Sequence, residues 1–140
     1  MLRRDLDVEQ FNQRGAQCLP GLVGFELLSI DEQCLRARMK VRPELMAPNG
    51  FLHAASVIAL ADTACGYGVI AHLPEGAAGF TTIELKANFL GTTREGIIAC
   101  EATPVHLGRT THVWDAVVAE EATSKRIALF RCTQMILTKR

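Results

Sequence analysis

The chain contains one long apolar stretch and several shorter stretches in which apolar and polar residues alternate. Residues 54–73 read AASVIALADTACGYGVIAHL and are almost entirely apolar. Pro48 and Gly50 precede this run and Pro74 follows it, and both residue types end helices. Because the run is apolar on nearly every side, it predicts a helix that is buried on most faces or lies in a membrane.

The shorter stretches have the period of strands. Residues 34–41, CLRARMKV, place apolar side chains at every second position, which predicts a strand with one buried face. Residues 80–90, FTTIELKANFL, alternate in the same way after a Gly/Ala connector at 76–79. Further strands are predicted at residues 24–30, 96–106, 110–120 and 125–137. A short amphipathic helix is predicted at 7–14, and Leu19-Pro20-Gly21 ends it.

The order of these elements, ββαββββ with one long apolar helix, predicts an α+β fold. A helix that is apolar all round needs more cover than a flat sheet provides, and a curved antiparallel sheet wrapped round it supplies that cover. We expect a single domain, residues 1–140, with residues 1–20 as an N-terminal helical extension. Trp114, Val118 and Phe130 are candidates for apolar residues on the outer face of the sheet, which suggests further contact between subunits.

Composition narrows the classes of function. Lys plus Arg and Asp plus Glu both number 15, so net charge gives no reason to expect nucleic acid or an acidic membrane as a partner. The five cysteines show no metal spacing, which indicates reduced core thiols in a cytoplasmic protein. The apolar run is long enough to span a membrane, but its internal Asp and His and its lack of flanking basic anchors argue against a span. The charged N-terminal residues are not expected to form a signal peptide.

Asp62 is the unusual residue of the apolar run. It lies too far inside the predicted helix to cap it, and burying an unpaired carboxylate costs several kcal/mol. It is either a structural residue bonded to a neighbouring hydroxyl such as that of Thr63, or a carboxylate held dry at a reaction centre where burial tunes its pKa. Cys65 is a weaker candidate nucleophile, because no His lies nearby in sequence to activate it.

The start of the run is the second candidate for chemistry. Free N–H groups at residues 53–56 would point along the helix axis and could bind a developing oxyanion, and the small Ala54 and Ala55 would let a carbonyl approach. His53 and Asp62 are nine residues apart, which is roughly 900° of rotation and roughly 13 Å along the axis. They therefore lie on opposite faces, and two antiparallel copies of the helix could bring them together. This geometry favours a homodimer with two shared sites.

Two segments resemble a known family. Residues 49–55, NGFLHAA, and 60–64, LADTA, resemble the hotdog-fold acyl-CoA thioesterases, and the nearest branch looks like the phenylacetate-degradation-type and 4-hydroxybenzoyl-CoA thioesterases. That family has roughly the pattern N-x-x-G-x-x-H-G-G with an acid nine residues after the His. Residues 105–111, VHLGRTT, and the following Val113-Trp114 also look like the family's fifth-strand region. The resemblance covers nearly the whole chain from about residue 20.

The resemblance implies hydrolysis of an aryl- or fatty-acyl-CoA by a homodimer or tetramer, with no metal and no cofactor besides the coenzyme A of the substrate. Asp62 would be the general base or the nucleophile, and the Ala54 N–H would hold the thioester oxygen. His53 would shape the loop and bond to the substrate carbonyl, and Gly66 and Tyr67 would face the acyl group. The coenzyme A channel would be lined by Gly50, Leu52, Thr81, Thr82, His106, Gly108, Arg109 and Thr110.

The chain departs from the family pattern at two points. His-Gly-Gly is His53-Ala54-Ala55 here, although a backbone N–H works as well from Ala as from Gly. The family often carries Asn or Gln six residues before the His, where this chain has Ala47; either Asn49 substitutes for it in the catalytic site or the contact is missing. Asn49 and Gly50 could equally be turn residues only, and Arg109 could be one more solvated charge.

Two other functions stay open at this stage. A hotdog dehydratase or hydratase acting on acyl thioesters could use a His with the helix acid, although no G-H-F-P-type loop precedes the helix. A non-catalytic acyl-CoA-binding module is the other alternative. A binding module is the function that explains a carboxylate buried in an apolar helix, Asp62, least well.

Overall fold

The computed structural model describes residues 2, 3 and 5–139, which form a sheet around one long helix. The helices are α1 (Val8–Gly15), α2 (Leu19–Val23) and α3 (Ala54–Ala71), and the strands are β1 (Glu26–Ile30), β2 (Leu35–Lys40), β3 (Ala77–Phe89), β4 (Ile97–Leu107), β5 (Thr111–Glu120) and β6 (Arg126–Thr138). The strands pair antiparallel in the order β1-β2-β4-β5-β6-β3. The predicted α+β class and the ββαββββ order are confirmed. Residues 1, 4 and 140 of the predicted domain lie outside the described residues.

Helix α3 lies against the inner face of the sheet and forms the centre of the core. It contacts β2, β3, β4, β5 and β6, and side chains such as Leu60 and Val69 are completely buried. Each buried side chain of this size stabilises the fold by about 1.5–3 kcal/mol. By length and composition alone α3 could cross a membrane, but more than half of it is buried inside the fold, as in a core helix.

Two segments differ from the pattern-based prediction. Leu19-Pro20-Gly21 was expected only to end α1, but residues 19–23 form the short helix α2. Proline is tolerated in the first turn of a helix, and Gly24 ends α2 with a φ of +80°. The expected connector at 76–79 is mostly strand, because the turn is made by Glu75 and Gly76, with a Gly76 φ of +81°, and β3 begins at Ala77.

The prediction for the outer face of the sheet is wrong. Trp114, Val118 and Phe130 lie on the inner face against α3, with exposed fractions of 1%, 0% and 4%. Residues 113–118, VWDAVV, are apolar in both phases of the alternation, and a shift of one residue exchanges the two faces of a strand. The exposed apolar side chains of β4, β5 and β6 are instead Val105, Leu107, Val117, Leu129, Met135 and Leu137.

The two edges of the sheet differ in their cover. At the β1 edge, the Asn12 side chain of α1 accepts from the Leu27 N–H (2.8 Å) and donates to the Leu27 carbonyl (3.1 Å). At the other edge, β3 pairs with β6 on one side only, and its exposed apolar side chains include Ile83, Leu85 and Phe89. A long edge strand with apolar side chains is a surface that pairs readily with another chain.

Candidate active site

The loop before α3 is a tight hairpin held by its own backbone. The Ala47 N–H donates to the Phe51 carbonyl (2.7 Å), and the Gly50 N–H donates to the Ala47 carbonyl (3.0 Å). Gly50 has a φ of +83°, a conformation that glycine adopts without strain. The side chain of Asn49 accepts from the Phe51 N–H (3.2 Å), which is a turn-forming contact. The structure thus gives Asn49 and Gly50 a local role, and their predicted catalytic and coenzyme A contacts stay predictions.

One backbone N–H at the start of α3 is left for a ligand. His53 is the N-cap: its N–H donates to the Leu45 carbonyl (3.1 Å), and its Nδ1 accepts from the Ala55 N–H (2.9 Å). The Ser56 N–H donates to the His53 carbonyl (2.9 Å). The expectation of free N–H groups at all four positions 53–56 is therefore wrong for three of them. The exposed Ala54 keeps its N–H without a partner among the described residues.

The cap also determines the tautomer of His53. Because Nδ1 accepts a hydrogen bond, the proton of the neutral ring lies on Nε2. His53 is exposed, and its Nε2–H makes no hydrogen bond within the described chain, so it is available as a donor.

Residues far away in sequence hold this end of the helix. The Leu45 carbonyl also accepts from the buried Ser56 hydroxyl (2.7 Å). The Leu52 N–H donates to the Thr92 hydroxyl (3.3 Å), and the Arg94 guanidinium lies 5.4 Å from the centre of the Phe51 ring. Leu52 itself is buried in the core. The sequence carries no local signal for the Thr92 contact, because about forty residues separate the two partners.

Asp62 lies in the middle of α3 and is half-buried. Its Oδ1 is buried and has no hydrogen-bond partner within the part of the chain that the structure describes, so a structural bond to Thr63 is not found there. Burial raises the pKa of this carboxyl above its ordinary value. A carboxylate in this state accepts a proton more readily than a surface Asp, as a general base must.

Cys65 is a poor nucleophile in this structure. Its side chain is completely buried, and a hydrogen bond with Cys132 together with burial raises its pKa. Thiols act as nucleophiles only when ionised, so Cys65 stays a protonated core thiol. Metal binding has no candidate either: the described residues include no group of three or more His, Cys, Asp or Glu side chains placed to hold an ion.

The residues predicted to line the coenzyme A channel fall on two strands and a turn. Thr81 and Thr82 lie next to each other on β3 but on opposite faces, because Thr82 pairs with the buried Gln134 and Thr81 with the exposed Met135. His106 lies at the end of β4, and Gly108, Arg109 and Thr110 form the β4–β5 turn. A Cβ on Gly108 would lie 2.9 Å from the backbone carbonyl oxygen of Thr111 and 2.5 Å from His106 Nε2, so a larger residue would force this turn to shift.

Arg109 stands at the mouth of a cavity of about 980 Å³ at the C-terminal end of α3. It is exposed, and it makes no ion pair with any other described residue. The cavity is lined by residues 2–3, 72–77, 107–109 and 112. The sequence pattern did not indicate this cavity, because its walls come from four separate segments.

The two residues expected to face the acyl group lie on different sides of α3. Gly66 is four residues after Asp62, about one helical turn away, and lies against the Phe80 ring of β3. Tyr67 packs instead against Phe11 and Phe25, with ring centres 5.1 and 5.3 Å apart. Tyr67 therefore packs against the N-terminal part of the chain, and its expected contact with the acyl group stays a prediction.

Comparison with known proteins decides the family. The family model described as the thioesterase superfamily matches residues 49–125. The chain belongs to this superfamily. A 1,4-dihydroxy-2-naphthoyl-CoA hydrolase from Listeria monocytogenes is 27% identical over 118 residues, 84% of this chain and 94% of the relative. ComA2 from Bacillus subtilis is 34% identical over 121 residues, 84% of this chain and 92% of ComA2.

The fold agrees with this assignment. The crystal structure of a mutant of thioesterase PA1618 from Pseudomonas aeruginosa superposes with a TM-score of 0.92 and 28% identity, covering 99% of each chain. The resemblance to hotdog-fold thioesterases is confirmed, and the protein is a thioesterase.

Proposed function

We propose that this thioesterase hydrolyses an acyl-CoA thioester to the free acid and coenzyme A, with Asp62 as the reacting carboxylate. The observation that carries the proposal is the buried, unpartnered oxygen of Asp62 on a helix whose start leaves the Ala54 N–H free. The name of the Listeria relative, a hydrolase of an aryl-CoA thioester, supports coenzyme A as the carrier. Aryl and fatty acyl groups are both candidates for the acid.

The Ala54 N–H and the His53 Nε2–H would polarise the thioester carbonyl. Both donors lie at the positive end of the α3 dipole, where negative charge on the carbonyl oxygen is stabilised. Loss of one such donor typically lowers kcat by about 100- to 1,000-fold. Asp62 would then either take a proton from the attacking water or attack the carbonyl carbon to form a mixed anhydride that water hydrolyses. In the first route Asp62 passes the proton taken from water to the departing thiolate of coenzyme A. In the second route the C–S bond breaks as the anhydride forms, and the departing thiolate takes its proton from water.

A second copy of the chain is needed to complete each site. Ala54 and Asp62 are eight residues apart on a continuous helix, roughly 12 Å along the axis, which is too far for the Ala54 N–H and the Asp62 carboxylate of one chain to contact the same thioester carbonyl. The open β3 edge offers the contact: pairing of two β3 strands about a twofold axis would place two α3 helices antiparallel. The start of one helix then approaches the middle of the other. We propose a homodimer with two shared sites; pairing of dimers through the exposed apolar outer face would give the tetramer.

Arg109 is the candidate for a phosphate contact of coenzyme A. It is exposed beside the β4–β5 turn and, within the described chain, free of ion pairs. Cytoplasmic location stays part of the proposal. It agrees with the five cysteines, which are all unpaired in the structure.

The first experiment measures free thiol release from a panel of aryl- and fatty-acyl-CoA thioesters. The parent should turn over at least one of them, and Asp62→Ala should lose about 100- to 10,000-fold in kcat. Asp115→Ala removes a surface carboxylate that pairs with Arg131, and it should keep parental activity. Turnover that survives Asp62→Ala refutes the role of Asp62. Loss of enoyl-CoA absorbance without thiol release would indicate a hydratase. Binding without turnover would indicate a binding module, and the lack of an Asn or Gln at position 47, which is Ala47 here, would be the first explanation to test.

Subunit mixing tests the shared site. Ala54→Pro deletes the N–H of the first helical residue, where proline is well tolerated. Ala54→Pro and Asp62→Ala should each be inactive alone, but a heterodimer of the two contains one intact site. Equal mixing with subunit exchange should therefore restore about a quarter of the parental activity. No recovery in a verified heterodimer would contradict the shared site.

A further inference from the structure

The buried polar atoms that lack a hydrogen-bond partner in the described chain lie along one face of the interior. They are Asp62 Oδ1, His72 Nε2, His112 Nδ1, Trp114 Nε1 and Gln134 Oε1. Asp62 lies on α3 and His72 is its C-cap residue. The other three residues lie on the inner face of the sheet, His112 and Trp114 on β5 and Gln134 on β6. We call these five residues, together with Cys132 between them, the polar stripe. Buried polar groups are normally hydrogen-bonded, so a run of unpaired ones at one place calls for a ligand.

The polar stripe is continuous. The β5–β6 register places His112 opposite Gln134 and Trp114 opposite Cys132. The Gln134 Nε2 donates to Cys132 Sγ (3.4 Å), and the His72 and Trp114 ring centres are 5.3 Å apart. At the other end, the Asp62 carboxylate is close enough to act electrostatically on the Cys132 thiol. Asp62 and His72 are ten residues apart, so the stripe is roughly 15 Å long.

One end of the polar stripe is the candidate catalytic carboxylate, and the other end is the cavity at the end of α3. His72 and His112 line this cavity although only 5% and 1% of their surfaces are exposed. Arg109 lies at the cavity mouth. The stripe therefore runs between Asp62 and this cavity.

The hydrogen-bonding groups of the stripe match water. His72 Nδ1 lies 2.8 Å from the Gly68 carbonyl, which can only accept, so the neutral ring presents Nε2 as an acceptor. Burial lowers the pKa of His112, which favours its neutral ring, and the neutral ring also offers an acceptor nitrogen. Gln134 Oε1 accepts and Trp114 Nε1 donates. Water is the small ligand that both donates and accepts at several adjacent positions.

We propose that the polar stripe binds a chain of ordered water molecules from the cavity to the buried oxygen of Asp62, with Gln134, between His112 and Cys132, as the positioning residue in the middle of the chain. A water that donates to Asp62 Oδ1 stabilises the ionised carboxylate and offsets part of the effect of burial. The titratable groups that face Asp62 are Cys65 on α3 and Cys132 on β6. The catalytic consequence rests on the proposed function, but the water sites themselves do not.

The test compares Gln134→Met with Ile136→Leu. Gln134→Met keeps the length of the side chain and removes its hydrogen bonds. Ile136→Leu is a matched change at a buried residue two positions along the same face of β6. In Gln134→Met, the Asp62 pKa read by carboxyl NMR should rise by about one unit. The acid limb of the pH profile of kcat should shift by the same amount as the Asp62 pKa, with KM little changed. Ile136→Leu should have the Asp62 pKa and the pH profile of the parent.

A second pair of variants separates hydrogen bonding from titration. His112→Gln keeps hydrogen-bonding atoms without a titrating ring, so it should leave the Asp62 pKa near the parental value. His112→Leu removes the hydrogen bonds and should raise that pKa. A high-resolution crystal structure of the parent should show water between Gln134, His112 and His72.

Three results would overturn the proposal. The first is parental electron density with direct side-chain contacts and no water along the polar stripe. The second is an Asp62 pKa that is equal in Gln134→Met and Ile136→Leu. The third result applies if Gln134→Met does not fold, and it is an Asp62 pKa that is equal in His112→Gln and His112→Leu. A parent without turnover on any acyl-CoA would refute the proposed function alone, because the density and the NMR titration need no substrate.

Discussion

Gly68 allows a sharp test of how α3 packs on the sheet. A Cβ built on Gly68 would lie 2.6 Å from Cη2 and Cζ3 of Trp114 and 3.0 Å from its Cζ2, closer than Cβ atoms normally approach other atoms. Gly66, two residues earlier, is a matched site on the same helix. Its Cβ would lie 3.1 Å from the tip of the Phe80 ring. The two glycines differ in whether the neighbouring ring can move.

The expected effects have opposite signs. Replacing a glycine inside a helix by alanine stabilises the helix by about 1 kcal/mol. At Gly68 the Trp114 indole is buried and surrounded, so the added methyl group costs about 1–3 kcal/mol of overpacking. The net change for Gly68→Ala is a loss of up to about 2 kcal/mol. At Gly66 the partly exposed Phe80 ring can shift by a few tenths of an ångström, so Gly66→Ala should leave stability unchanged or raise it by up to about 1 kcal/mol.

Urea unfolding of the parent and both variants measures this difference. Trp114 is the single tryptophan of the chain, so its fluorescence reports on the contact itself. All three proteins must be compared at one concentration, because association adds to apparent stability. The reasoning is refuted if Gly68→Ala is more stable than the parent, or if the two variants change by the same amount.

Two further predictions concern the candidate site. Burial raises the Asp62 pKa, so between the ordinary Asp pKa and this raised value the native state binds more protons than the unfolded state, and parental stability falls as pH rises. Asp62→Asn should therefore be more stable than the parent at neutral pH and lose this advantage below the ordinary Asp pKa; a pH-independent difference in urea midpoint would contradict it. Thr92→Val removes the acceptor of the Leu52 N–H, which costs about 1 kcal/mol and should lower kcat about fivefold with KM little changed. Thr92→Ser should restore kcat, and equal kcat values for the two variants would exclude a role for the hydroxyl.

The local pattern of apolar and polar residues was sufficient to predict the helices and strands and to single out Asp62. The run at 54–73 predicted a helix that the structure places at Ala54–Ala71, because Pro48, Gly50 and Pro74 act within a few residues of its ends. The alternating stretches became strands with bounds shifted by one to three residues. Asp62 was recognisable because one carboxylate in an apolar helix is costly whatever surrounds it.

Pattern could not decide which way some strands face. Trp114, Val118 and Phe130 were placed on the wrong side, since an apolar run such as VWDAVV has no unique phase. The pairing of β5 with β4 and β6, together with the position of α3, decides which side chains of β5 point inward. Only one of the two choices buries the Trp114 indole.

The details of the site depended on tertiary contacts. The sequence predicted four free N–H groups at the start of α3. The Leu45 carbonyl, the His53 ring and the His53 carbonyl accept three of them, and the Ala54 N–H alone is left among the described residues. The polar stripe joins residues of α3, β5 and β6 that are up to about seventy positions apart, and only strand pairing brings them together. Helix and strand periods arise from neighbours in sequence, so the sequence determined the elements and Asp62. Which backbone donors stay free and which buried polar atoms lack a partner depends on neighbours in space, so the tertiary structure alone decided them.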